Sequence, residues 1–169
     1  MRRPDARQTE GMTVLVWVAE STWKASVDAA RALVPSGADV TLLTVIDTGT
    51  AEAAHAAFGG MLGRVGDDPA RRLEEVAEAA ADDLLNAARA RLGQPARVIR
   101  IRGRAKHEIV TAAEGATMLV VARDGPGPGP KSLGKDVRFV VDHAPCPVLL
   151  VWPGPPPPPP PPPGDRPPS

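Results

Sequence analysis

Apolar residues in this chain gather into five short runs, and the stretches between most of them carry helical periods. Residues 13–18 (TVLVWV), a continuous β-branched and aromatic run, and 118–122 (MLVVA), apolar throughout, have the pattern of strands covered on both faces. Residues 40–46 (VTLLTVI) and 147–152 (PVLLVW) read as further strands. In 96–102 (ARVIRIR), Ile99 and Ile101 alternate with Arg100 and Arg102, so this strand is expected to turn one face to water. Trp23, Val27, Ala30 and Val34 fall on one helical face behind a capping Ser21, and Pro35, Ser36 and Gly37 stop that helix. Residues 70–92 give the clearest helix, with Leu73, Val76, Ala80, Leu84 and Ala88 as its apolar stripe. Gly103 opens a helix carrying Ala105, Ile109 and Ala112, while Leu133, Val137, Val140, Val141 and Ala144 mark the last one. The long segment 47–69 shows no clear period, with a short helix expected around 51–58.

Strands interleaved with helices predict an α/β fold, an open, doubly wound, five-stranded parallel sheet with helices on both faces. Ligands of such sheets bind beyond the carboxyl ends of the strands, near the reversal of strand order. The candidate segments are therefore 19–21, 45–48, 102–104 and 123–135. Twelve of the 21 prolines fall in residues 153–169, unbroken from Pro155 to Pro163. Such a run offers no backbone N–H and forms stiff polyproline II, so it is read as a tail outside the core. Residues 1–11 are polar and aperiodic and are read as a disordered tail, with Met12 as a candidate biological start. The domain then spans 12–152.

Charge and cysteine content narrow the function. Lys plus Arg and Asp plus Glu each number 20 in the 169 residues, so the net charge is zero. That balance argues against a nucleic-acid binder and against polybasic membrane docking. A single cysteine, Cys146, excludes an internal disulfide framework, and His55, His107 and His143 lack metal-ligand spacing. The apolar runs are too short to span a bilayer, and Asp5 and Glu10 spoil the start as an export signal. A cytoplasmic protein is expected.

The stretches VLVWVAES, TLLTVID, GRAKHEIVTAAEGATMLVVARDG and HAPCPVLLV resemble the universal stress protein family over residues 12–152. The resemblance implies strand order 3-2-1-4-5, a homodimer and, in some members, bound ATP. Nucleotide-binding members carry Gly, two residues, Gly, nine residues, then Gly followed by Ser or Thr. Here the matching positions are Ala122, Gly125 and Gly134, with eight residues between the glycines and Lys135 in place of the hydroxyl. Within Gly125-Pro126-Gly127-Pro128-Gly129-Pro130, every second residue lacks the N–H that would cradle a phosphate. The acid that the family places beside the adenine aligns with Ala19, while Val45 matches the residue beside the base after the second strand. The expectation is a regulatory or interaction module, not an enzyme, with weakened or lost ATP binding. Its alternative is an ATP sensor, with magnesium, built on Val45, Gly125, Gly127, Gly134 and Lys135.

Other signals are weaker. The loop 129–136 approaches a Walker A sequence, but Asp136 stands where a magnesium-binding hydroxyl is needed. A phosphoryl-transfer enzyme is accordingly the third reading. A receiver domain would need acids after the first and third strands, where only Glu20 and Arg102-Gly103 occur. Cys146 reads as a small core residue, His143 as a partner of helix carbonyls, and His107 and Arg104 as solvated surface. Trp17 and Trp23 are expected in the core and Trp152 at an interface. The final strand, apolar on both faces at a sheet edge, predicts homodimer pairing through Val148–Val151. The proline run is a low-complexity extension, with docking to a partner's aromatic groove as the second possibility.

Overall fold

A computed structural model describes residues 11–49, 69–125, 127–155 and 158. Most of both expected tails, and the short helix expected around 51–58, lie outside the described residues. The elements run β1 (Thr13–Trp17), α1 (Trp23–Leu33), β2 (Asp39–Asp47), α2 (Pro69–Leu92), β3 (Arg97–Gly103), α3 (Ala105–Ala112), β4 (Met118–Ala122), α4 (Lys135–His143) and β5 (Val148–Val151). All five strands are parallel, in the order β3-β2-β1-β4-β5. The expected α/β architecture is therefore the one observed.

Alternation along the central strands feeds two cores. Val14, Val16, Leu42 and Val120 meet Val27 and Ala30 of α1 and Leu85, Ala88 and Leu92 of α2. Leu15, Trp17, Leu43, Leu119 and Val121 point the other way, to Ile109 of α3 and Val137 and Val140 of α4. This two-sided burial is why β1 beyond Thr13, and β4 throughout, are apolar. Each fully buried Leu or Val stabilises the fold by about 1.5–3 kcal/mol relative to exposure.

Two local expectations change. Thr22, not Ser21, is the N-cap of α1, and it makes no side-chain capping bond. The helix start is closed by backbone instead, the N–H groups of Thr22 and Trp23 donating to Ala19 O at 3.0 and 2.8 Å. The buried line of α2 is Ala81, Leu85, Ala88 and Leu92, whereas Leu73 and Val76 remain 68% and 66% exposed. Helical period alone does not say which turns of a helix are covered, and here the core lies under the carboxyl half. The arginine face of β3 is exposed, as expected, and there it pairs with the acidic side of α2. Arg100 Nη1 reaches Asp82 at 2.6 Å, while Arg102 pairs with Glu78 and, at 3.6 Å, with Glu74.

A bidentate contact from Arg91 to Asp28, at 2.6 and 2.7 Å, ties α2 to α1. The hydrogen bond from Arg91 holds the Asp28 carboxyl below its ordinary range. Half-exposed pairs of this kind contribute little, so packing carries α2. Leu85→Ala is expected to cost about 2–5 kcal/mol in chemical denaturation, and Leu73→Ala less than about 0.5 kcal/mol.

Candidate functional site at the reversal of strand order

Strand order reverses between β1 and β4, which opens a crevice beyond their carboxyl ends. A cleft of about 100 Å³ lies there. Trp17, Ala122 and Val137 supply its apolar walls, and Ala19, Ser21 and Thr22 enter from the β1–α1 connection. Asp124, just past β4, and Asp136, in the first turn of α4, bring two carboxylates to the same cleft. Small-molecule pockets begin at about 300 Å³, so the space is well short of a nucleotide.

The loop between β4 and α4 is closed on itself. Gly134, the N-cap of α4, donates its N–H to Asp124 Oδ1 at 2.7 Å. Gly125 N–H donates to Ser132 O at 3.1 Å, and Ser132 N–H donates to Gly129 O at 3.0 Å. The buried Ser132 hydroxyl accepts from Arg123 Nη1, and Arg138 Nη2 donates to Pro130 O at 2.8 Å. The Arg123 guanidinium also lies 4.4 Å from the centre of the Trp152 ring, joining the loop to the segment after β5. Trp152 thus has a partner within its own chain. A Cβ on Gly125 would stand 1.9 Å from Lys131 O, so only glycine allows the loop to fold back this closely.

These bonds decide the electrostatics. A helix N-terminus ordinarily offers free N–H groups and a positive dipole end to an anion. Here the Gly134 N–H already has an anion, the Asp124 carboxylate, and Asp136 stands beside it. Like charges in contact repel, by about 4 kcal/mol at about 4 Å and an effective dielectric constant near 20. A phosphate would have to displace the first carboxylate and tolerate the second.

The sequence-derived site residues are only partly assembled. Gly125 and Gly134 flank Asp124, but their N–H groups are spent within the loop. Gly127 is half-buried with open space where a side chain would go, and Lys135 is exposed at the start of α4. Neither lines the cleft. Val45 sits in the β2–β3 ladder opposite Ile101, packed against the second core, and does not line it either. Sequence reasoning missed Asp124 as an acceptor and Thr22 as a lining residue. An aspartate two residues past an apolar strand and just before a glycine is the one local hint of the first.

Other candidate groups fall outside the cleft. His143 Nδ1 lies 2.8 Å from Phe139 O, the carbonyl contact expected of a late-helix histidine. Its ring stacks on Phe139 at 4.0 Å, and exposed His107 meets the same ring edge-on at 4.9 Å. Burial pushes the Cys146 thiol up, away from the thiolate a nucleophile needs. Among the described residues, no group of three or more acidic, histidine or cysteine side chains is placed to hold a metal. No described helix is long and apolar enough to cross a membrane.

Comparison with known proteins gives one family. The model of the universal stress protein family matches residues 12–151. No curated protein matches the chain. Among solved structures, hypothetical protein MJ0577 is similar at 20% identity, over 84% of this chain and 96% of that one, with a TM-score of 0.59. Universal stress protein UspA from Lactobacillus plantarum is similar at 22% identity, over 83% and 97%, with a TM-score of 0.58. A universal stress protein solved in complex with cAMP is similar at 18% identity, over 85% and 98%, with a TM-score of 0.58. At these identities the likeness is one of fold.

Proposed function

The chain belongs to the universal stress protein family, and from that membership we propose a regulatory or interaction module of the cytoplasmic stress response. It works without catalysis of its own and with ATP binding weakened or lost. The observation that carries this reading is the Asp124 carboxylate on the Gly134 N–H. It occupies the position at which a phosphate would meet α4, in a cleft too small for a nucleotide. Ala19, in place of an acid, removes a further contact to the base.

The second reading is a nucleotide sensor using Val45, Gly125, Gly127, Gly134 and Lys135. Exposed Lys135 at the start of α4 favours it, as does the structural neighbour described with cAMP. Calorimetric titration with ATP, ADP and cAMP, with and without magnesium, separates the two. The first reading predicts dissociation constants weaker than about 1 mM. Binding in the low micromolar range would establish the sensor.

We also propose a homodimer through β5. Among the described residues β5 pairs only with β4, and Val148, Leu149, Leu150 and Val151 are all half-buried. An apolar strand with one free edge and both faces partly covered invites a second copy. Light scattering at micromolar concentration is expected to return a dimer, and Leu149→Lys a monomer. A monomeric wild-type chain would remove the proposal.

A further inference from the structure

We propose that the amino half of α2 is an ionic latch, held to β3 by arginine–carboxylate pairs and released as ionic strength rises. The latch is separate from the nucleotide and dimer questions. Every group in it lies on α2 or β3, at the edge of the sheet opposite β5.

α2 is fastened in two different ways along its length. Ala81, Leu85, Ala88 and Leu92 are buried, and the last three belong to the first core. Of the described residues from Arg71 to Ala80, none is buried and none belongs to either core. Only Ala77 and Glu78 are even half-buried there. Apolar burial therefore fixes the carboxyl half and contributes little to the amino half.

What holds the amino half is electrostatic. Glu78 sits between two arginines of β3: Arg102 Nη2 pairs with its Oε1, and Arg100 Nη2 lies 3.8 Å from its Oε2. Arg100 Nη1 also donates to the Glu78 carbonyl at 3.3 Å and reaches Asp82 at 2.6 Å. Arg102 Nη1 reaches Glu74 at 3.6 Å. The Arg71–Glu75 pair, at 3.3 Å, lies within the helix and does not tie it to the sheet.

The five side chains of this network are 30% to 59% exposed, so dissolved salt reaches them. The screening length falls from about 10 Å at 0.1 M salt to about 3 Å at 1 M, which weakens such pairs and leaves apolar packing in place. Salt therefore acts on one half of the helix and spares the other. An undocked helix end frays, so release also opens the backbone hydrogen bonds of the amino half. It frees Arg100 and Arg102 on an edge strand, and ionic strength becomes an input that the molecule can report.

Amide hydrogen exchange of the full chain, followed by nuclear magnetic resonance at low and high potassium chloride, tests the latch. Between about 0.05 M and about 0.5 M salt, amides of residues 74–80 are expected to exchange at least about threefold faster. Those of residues 85–92, and the chain in sucrose of equal osmolality, are expected to change little. Arg102→Gln removes the pairs to Glu74 and Glu78, so residues 74–80 should exchange fast already at low salt and respond little to more. The proposal is overturned by salt-independent exchange in the wild type, by a response shared equally along α2, or by an equal effect of sucrose. An undiminished salt response in Arg102→Gln overturns it too. Should Arg102→Gln not fold, Glu74→Gln decides: a smaller salt response supports the latch and an unchanged one overturns it.

Discussion

One hydrogen bond governs the chemistry of this molecule: the 2.7 Å contact between the Gly134 N–H and the Asp124 carboxylate. A parallel sheet whose strand order reverses between β1 and β4 creates a crevice, and α4 begins at its rim. The fold by itself therefore offers a helix N-terminus to any anion that fits. In this chain that anion is internal. The Asp124 carboxylate meets the positive end of α4 from within the chain, beside a small cleft edged with oxygens.

The rest of the loop keeps the carboxylate in place. Gly125 folds back against the Lys131 and Ser132 backbone, Ser132 holds the Arg123 guanidinium, and Arg123 lies over Trp152 beyond β5. Proline at every second position removes donors from the loop and restricts its alternatives. Beneath it, β4 is buried on both faces, so the point from which Asp124 projects is fixed by the core.

The sheet was legible in the sequence because burial on both faces writes itself as unbroken apolar runs. β4 agrees in both bounds and β1 to within one residue. Amphipathic elements were read less well. The stripe through Leu73 and Val76 has the right spacing, yet the core lies under Leu85, Ala88 and Leu92. Spacing defines a helical face but not the length of face that a neighbour covers. Ser21 looked like the cap of α1, and the turn closed one residue later on the Ala19 carbonyl. At the site, the missing donors of the proline loop could be counted directly. The Asp124–Gly134 contact could not, because it spans ten residues and exists only once the loop has turned back on β4.

The most direct measurement is the amide resonance of Gly134, followed by nuclear magnetic resonance in the wild-type chain and in Asp124→Ala. An internal carboxylate acceptor predicts slow hydrogen exchange at this amide, faster exchange in the variant, and no movement of the wild-type resonance when ATP is added. Rapid exchange in the wild type, or a Gly134 resonance that moves with added ATP, would contradict the account.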